Sequence, residues 1–165
     1  MRSAALLLAA SVSLPAAAQD MLTAGLLFGF SKHDGDSGQS TQIGGEIAYQ
    51  RILGMAGPLG PFGMGGYGQL EGVDGFRHGR YGLGLRAQFG ILGLDAGLAL
   101  EESDGTRRTT TYFQLAPTLS GGGATISFRI AWPMAAEGRY PRELGLVFSI
   151  RFPLLQGERR RRGDY

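Results

Sequence analysis

Apolar residues recur at every second position after residue 20, which is the periodicity of β-strands rather than of helices. The first such stretch places Leu22, Ala24, Leu26, Phe28 and Phe30 on one face. The pattern predicts eight strands, each about nine to eleven residues long. Their apolar positions span 22–30, 43–49, 62–70, 81–89, 92–100, 111–119, 124–132 and 144–152. The third strand is the least clear, because glycines blur its alternation.

The segments between these strands alternate in length. Four are polar and longish, namely 31–39, 71–79, 102–108 and 133–142, whereas 90–91 and 120–123 are short. Segment 52–60 is expected to be a long and rather apolar turn. This pattern is typical of up-and-down antiparallel hairpins whose long connections gather at one end.

The face opposite the apolar side chains is rich in glycine and polar residues, as at Gly82, Gly84, Arg86 and Gln88. A water-facing sheet surface would favour large, well-solvated side chains and would avoid so many glycines, which weaken strands. We therefore predict an all-β fold, an eight-stranded antiparallel up-and-down transmembrane β-barrel with a polar, filled interior. The alternative is the reverse arrangement, a soluble periplasmic lipocalin-like binder with an apolar interior.

Six charged residues fall on the predicted inner face, and their charges cancel, as buried charges require. This lumen charge network consists of Glu46, Arg86, Asp95, Glu101, Arg129 and Arg151.

Turn lengths predict how these residues face one another. A two-residue turn that begins with Gly90 places Arg86 opposite Asp95. A four-residue turn in the hairpin of strands six and seven would place Gln114 opposite Arg129.

Aromatic residues on the outward face fall near the ends of the predicted strands. They are Phe30, Tyr81 and Trp132 at the long-loop end and Tyr49, Phe62, Phe89 and Phe152 at the other. Outer-membrane barrels carry aromatic girdles at these two levels, and closure removes the strand edges that hydrocarbon would not tolerate.

Composition narrows the classes of function. The 165-residue chain suits one domain, and the absence of cysteine excludes disulfides, thiolate zinc sites, a cysteine nucleophile and a lipid-modified cysteine. The net charge is +2, and the arginines are scattered or confined to a run at 159–162, so no nucleic-acid partner is expected.

The chain divides into three segments. Residues 1–18 predict a cleaved signal peptide, with Arg2 before an apolar stretch and small residues at 15–18; an uncleaved anchor helix is the alternative. Residues 19–152 form the predicted barrel. Residues 153–165, with Arg159–Arg162, are expected to be a periplasmic, solvated tail.

Residues 20–152 resemble the small eight-stranded outer-membrane proteins of the OmpA/OmpX type. The last strand, 145–152, is similar to that family's carboxy-terminal assembly signal, which ends in an aromatic residue such as Phe152. The resemblance implies a monomer in the Gram-negative outer membrane, in contact with lipid and lipopolysaccharide and inserted by the barrel-insertion machinery. The family usually stops at this aromatic residue, whereas this chain continues.

The two histidines, His33 and His78, lie in predicted outer loops. Some outer-membrane barrels are lipid A acyltransferases or deacylases that use histidine with serine or aspartate, but neighbouring loop residues do not define such a geometry. Asp34-Gly35-Asp36 lacks the later glutamate of a calcium loop and is predicted to be a turn. No cofactor or metal is expected. The sequence favours a structural or surface-interaction role over a general porin or an enzyme, with lipid A modification as the alternative.

Overall fold

The computed structural model describes residues 19–55, 60–121, 123–134 and 140–158. The predicted signal peptide and the Arg159–Arg162 run lie outside these described residues. The strands are β1 (Gln19–His33), β2 (Ser40–Met55), β3 (Pro61–Val73), β4 (His78–Phe89), β5 (Leu92–Glu101), β6 (Thr110–Gly121), β7 (Ala124–Pro133) and β8 (Glu143–Glu158).

Each strand pairs antiparallel with its sequence neighbour, and β1 pairs with β8, so the sheet closes into a barrel. This topology confirms the predicted eight-stranded up-and-down barrel. Closure satisfies the backbone groups that an open sheet would leave unpaired at its edges. The described part of the chain contains no helix long and apolar enough to span a bilayer.

The two faces of the barrel have the predicted orientation. Leu83 and Leu85 are 66% and 68% exposed on the outer surface, whereas Arg86 is buried in the interior. Leu94 on β5 and Ile126 on β7 also point outward, whereas Asp95 on β5 is buried. A lipocalin-like carrier requires the opposite arrangement, so that alternative is wrong.

Two strands extend further than their alternation indicates. Strand β2 continues to Met55, so the first part of the predicted turn 52–60 is paired with β3. Strand β8 continues past Phe152 to Glu158, so residues 153–158 belong to the barrel rather than to the tail. The β1–β8 register shifts where Thr23 faces Pro153, and such a bulge accommodates a residue that lacks a backbone donor.

The strands also extend further at the long-loop end, called here the upper end. The connection predicted at 71–79 shrinks to four residues, and that predicted at 31–39 begins only after His33. Glu71, His33 and His78 therefore lie in strands rather than in loops, which corrects the sequence prediction for both histidines.

The hairpin registers confirm one prediction and overturn another. Arg86 faces Asp95 on β5, as the two-residue turn predicts. In the β6–β7 hairpin, however, Gly121 pairs with Ala124, so the turn is two residues shorter than expected and Gln114 faces Ala131 instead of Arg129. Gly123 has a φ of +85°, which suits the tight turn.

Two glycines leave space for one large side chain inside the barrel. The Tyr67 hydroxyl would lie 2.8 and 2.9 Å from Cβ atoms built on Gly84 and Gly97, which face each other on β4 and β5. These two residues must therefore lack side chains if Tyr67 is to lie across the barrel.

Candidate functional site

The lower half of the interior is organised around one guanidinium. Arg86 Nε and Nη2 donate to the two oxygens of Asp95, both at 2.7 Å. Arg86 Nη1 and Nη2 also donate to Glu46 at 3.0 and 2.9 Å. Both carboxylates and the guanidinium are buried, and Arg86 donates two hydrogen bonds to each carboxylate.

Glu46 accepts hydrogen bonds from two further side chains. Arg151 Nε donates to Glu46 Oε1 at 2.7 Å, and Gln69 Nε2 donates to Glu46 Oε2 at 2.9 Å. Two carboxylates and two arginines therefore form a neutral lower cluster: Glu46, Asp95, Arg86 and Arg151.

A second ion pair lies above this lower cluster. Arg129 Nη1 and Nη2 donate to the two oxygens of Glu71 at 2.9 and 2.6 Å. Arg129 also donates to Gln42 Oε1 and to Gln69 Oε1, at 3.0 and 3.3 Å. Gln69 therefore connects the middle pair to Glu46 below, and Gln42 connects it to the groups above.

At the upper end one arginine serves two acids. Arg80 Nη1 contacts Glu143 and donates to Glu101 Oε2 at 3.1 Å, while Arg80 Nη2 donates to Gln114 Oε1 at 3.1 Å. Gln42 Nε2 donates to the other oxygen of Glu143 at 3.0 Å. These groups, together with the two histidines, form what we call the upper cluster: His33, His78, Arg80, Glu101 and Glu143.

Both histidines are buried and share one carboxylate. His78 Nε2 lies 3.0 Å from Glu101 Oε1, within hydrogen-bond distance. His33 Nε2 lies 3.6 Å from Glu101 Oε2 and makes no hydrogen bond. One ligand atom each of His33, Glu101 and Glu143 lies within 4.8 Å of the other two. Among the described residues, these three are the group that could bind one metal ion.

Tyr140 covers the upper cluster. Its ring lies 5.1 Å from the His33 ring and 5.8 Å from the His78 ring, between centroids. Its backbone N–H donates to Thr110 Oγ1 at 3.1 Å, and the Arg107 guanidinium lies over its ring, 5.1 Å from the ring centroid. We call Tyr140, with these contacts, the tyrosine cap.

The tyrosine cap is held by charges in the outer loops. Arg107 Nη1 donates to Asp36 Oδ2 at 2.9 Å, and this contact lowers the pKa of the Asp36 carboxyl. Burial, followed by the negative charge of Glu101, raises the pKa of the Tyr140 phenol. The phenol therefore stays protonated and donates to the Glu102 backbone carbonyl at 3.3 Å.

All six charged residues of the predicted lumen network point inward, distributed over the three levels described above. Sequence reasoning missed Glu71, which it assigned to a loop, and Glu143, which it did not consider. It left Arg80 and both histidines out of the network. Strand parity would have found Arg80 and Glu143, because they lie in phase with Arg86 and Gly145.

The seven aromatic residues of the predicted girdles all lie on the outer side of the barrel or at its surface. The Phe62 and Phe89 rings stack at 4.6 Å near the lower end, and Trp132 lies 6.2 Å from Phe113 near the upper end. Tyr49, Tyr81 and Phe152 are exposed, and Phe30 is half-buried.

No protein-family model matches the sequence, and no curated protein has a significant sequence match. Among the solved structures that match this chain are two of Ail, the attachment invasion locus protein of Yersinia pestis. The structure of Ail in complex with the heparin analogue sucrose octasulfate has 13% identity and a TM-score of 0.38, covering 82% of this chain and 99% of Ail. A second Ail structure has 16% identity and a TM-score of 0.26 over the same shares.

Proposed function

We propose that this chain is an integral outer-membrane barrel with a structural or surface-interaction role. The observation that carries the proposal is the reversal of the two faces. Large apolar side chains such as Leu26, Leu83 and Leu85 are about two-thirds exposed, whereas charged side chains fill the interior. In water, the exposure of so many large apolar side chains would be unfavourable. In a bilayer, these side chains contact hydrocarbon while the charged groups stay paired inside the barrel.

The filled interior argues against a general diffusion pore. Bidentate pairs cross the lumen at two levels, from Arg86 to Glu46 and from Arg129 to Glu71. A cavity lined by Glu46, Gln69 and Arg129 has a volume of about 10 Å³, which is room for about one water molecule. A solute would have to break the ion pairs in order to pass.

The proposed partners follow from this location. The apolar band faces outer-membrane lipid, and the loops at the upper end face lipopolysaccharide or another surface. Strand β8 would be read by the barrel-insertion machinery, although it continues beyond Phe152 to Glu158. The closed pairing leaves no strand edge for a second copy, which favours a monomer.

Lipid A modification has less support. A catalytic histidine needs contact with a nucleophile and with substrate. His33 and His78 are buried below Tyr140, and both Nε2 atoms lie next to Glu101, a carboxylate that is itself held by Arg80.

The test is the behaviour of the purified chain in detergent. The folded barrel should migrate differently before and after boiling on a detergent gel, and it should precipitate when detergent is removed. As a matched pair, chains carrying Leu85→Ser and Leu85→Ile should both fold in micelles, since one apolar contact of many is changed. A chain that stays folded and monodisperse without detergent would contradict the proposal. For the surface role, binding of lipopolysaccharide-containing vesicles through the upper loops should be lost after limited proteolysis of those loops.

A further inference from the structure

The upper cluster has one acidic group more than it has arginines. In the lower cluster two carboxylates meet two arginines, and in the middle pair one carboxylate meets one arginine. At the upper end Glu101 and Glu143 share Arg80 alone among the described residues. Because an uncompensated buried carboxylate is costly, this end of the barrel requires one further positive charge.

A buried nitrogen atom without a partner faces the same two carboxylates. The His33 side chain is only 4% exposed, and its Nε2 atom makes no hydrogen bond. The nearest oxygen of Glu101 lies 3.6 Å away, beyond the usual range for an N–H···O bond. Buried polar atoms are nearly always paired, so this atom requires a partner that protein groups do not supply.

A carboxylate also lies on the side of the second ring nitrogen of His33. His33 Nδ1 lies 3.9 Å from Asp36 Oδ2. Binding of a cation at Nε2 requires the tautomer with its proton on Nδ1, the nitrogen on the side of Asp36. Metal-binding histidines commonly have a carboxylate behind the second ring nitrogen in this way.

We propose that His33, Glu101 and Glu143 bind one divalent transition-metal cation of the Zn²⁺ type. Imidazole nitrogen and carboxylate oxygen are ligands that Zn²⁺ accepts, and three protein ligands leave a fourth position for water. The candidate ligand atoms already lie within 4.8 Å of one another, so small side-chain movements bring them to one ion. The ion carries two positive charges where one is missing, so Arg80 becomes the surplus cation of the cluster, and the ion gives His33 Nε2 its missing partner.

Neighbouring groups both support and oppose this site. Gln42 donates to Glu143, and His78 lies within hydrogen-bond distance of Glu101, so both carboxylates are oriented from outside the site. Arg80 contacts the same two carboxylates and therefore competes with the ion. The affinity for Zn²⁺ is accordingly limited by Arg80.

Calorimetric titration of the full chain, folded in detergent micelles and stripped of metal with a chelator, tests the site with Zn²⁺ as the probe at pH 7.5. We expect one Zn²⁺ per chain, and at least about tenfold weaker binding in His33→Gln. The chain has two histidines and both lie in the upper cluster, so a surface histidine cannot account for the signal. Glu101→Gln should weaken binding similarly, whereas Glu102→Gln, an exposed neighbour given the same change, should leave it unaltered.

Removing the competitor should have the opposite effect. Arg80→Gln should bind Zn²⁺ at least about tenfold more tightly than the unaltered chain, because the two carboxylates lose their competing cation. If a variant fails to fold by the gel-migration criterion, imidazole nitrogen NMR signals of the unaltered chain decide the question, since His33 Nε2 should shift on addition of Zn²⁺.

The competing explanation is that a proton on a histidine supplies the charge. In that case the folded chain takes up no Zn²⁺ at concentrations up to about 1 mM, which corresponds to a binding free energy of about 4 kcal/mol. That result, or Zn²⁺ uptake that is unchanged in His33→Gln, would overturn the proposal. Neither result would affect the membrane proposal, which rests on the outer face.

Discussion

Arg86 and Glu46 lie forty residues apart in the chain, yet Arg86 donates two hydrogen bonds of 3.0 and 2.9 Å to Glu46 across the lumen. The same guanidinium also holds Asp95 on the neighbouring strand. One side chain therefore ties β2, β4 and β5 together from the inside.

Arg86→Gln should destabilise the barrel by about 3–5 kcal/mol, because it leaves Asp95 without its cation and deprives Glu46 of one of two. Urea unfolding in micelles, followed by the fluorescence of Trp132, measures the change; this is the single tryptophan of the chain. The matched control is Arg51→Gln, whose partner Asp20 lies 3.8 Å away at an exposed position. That change should cost less than about 1 kcal/mol. Equal losses in both variants would show that the lumen pairs add no special stability.

A cation on the lipid-facing surface should be equally informative. Phe128 points outward from the middle of β7, where it faces Leu146 on β8. Phe128→Arg should therefore cost about 2–4 kcal/mol in lipid vesicles, as expected for a cation near the bilayer midplane.

The control for this experiment is Met134→Arg, just beyond the end of β7, where an exposed side chain can reach water. It should change the free energy of unfolding by less than about 1 kcal/mol. If arginine were tolerated equally at both positions, the apolar band would not be in contact with hydrocarbon.

How much of this fold can be predicted from the sequence depends on whether the outward positions of a strand carry large apolar side chains. Where outward positions are large and apolar, as along β4 and β5, alternation and the Gly90 turn give both the faces and the register correctly. At the upper ends of β3 and β4, the outward positions no longer carry large apolar side chains. Gly72 and Gly79 occupy outward positions next to Glu71 and His78, so polar lumen residues there have the composition of a loop.

The register of the β6–β7 hairpin was mispredicted for a different reason. Three consecutive glycines, at 121–123, fit either a four-residue or a two-residue connection, and nothing local distinguishes the two. Contacts across the lumen, such as Arg129 with Glu71, depend on closure of all eight strands. Sequence periodicity reveals which face such residues share but not which of them meet.

Close packing inside the barrel can be tested with two glycines on opposite faces. A Cβ on Gly97 would overlap the Leu83 carbonyl oxygen and lie 2.8 Å from the Gly84 Cα. Gly97→Ala should therefore destabilise the barrel by about 1–3 kcal/mol in urea unfolding. Gly68 faces outward and has no neighbour within 4 Å of such an atom, so Gly68→Ala should be neutral or slightly stabilising. Equal costs would contradict the assigned faces of β3 and β5.

Acidification should loosen the tyrosine cap. Arg107 lowers the pKa of Asp36 below its ordinary value of 3.8, so the stabilisation is complete above that value and is lost as the pH falls through the lowered pKa. The protection factor of the Tyr140 amide, which is the intrinsic exchange rate at each pH divided by the observed rate, should therefore fall as the pH drops below about 4, by less than about 1 kcal/mol in opening free energy.

Asp36→Asn should show the weaker protection already at pH 6 and should lose this pH dependence. Asp34→Asn serves as the control, because Asp34 pairs with Arg142 at a position where both side chains are about half exposed. If the protection of the Tyr140 amide were unchanged in Asp36→Asn, the tyrosine cap would not depend on the Asp36–Arg107 pair.

The central claim is that the apolar outer face contacts hydrocarbon while the charged groups lie inside. Paramagnetic line broadening in micelles measures this directly, with a lipid-soluble nitroxide and a water-soluble gadolinium chelate as the two probes. We predict that the nitroxide broadens the Leu94 and Ile126 methyl signals, and that neither probe reaches the side chains of Arg86 and Asp95. Broadening of Leu94 and Ile126 by gadolinium alone, or strong broadening of Arg86 and Asp95 by it, would contradict the account.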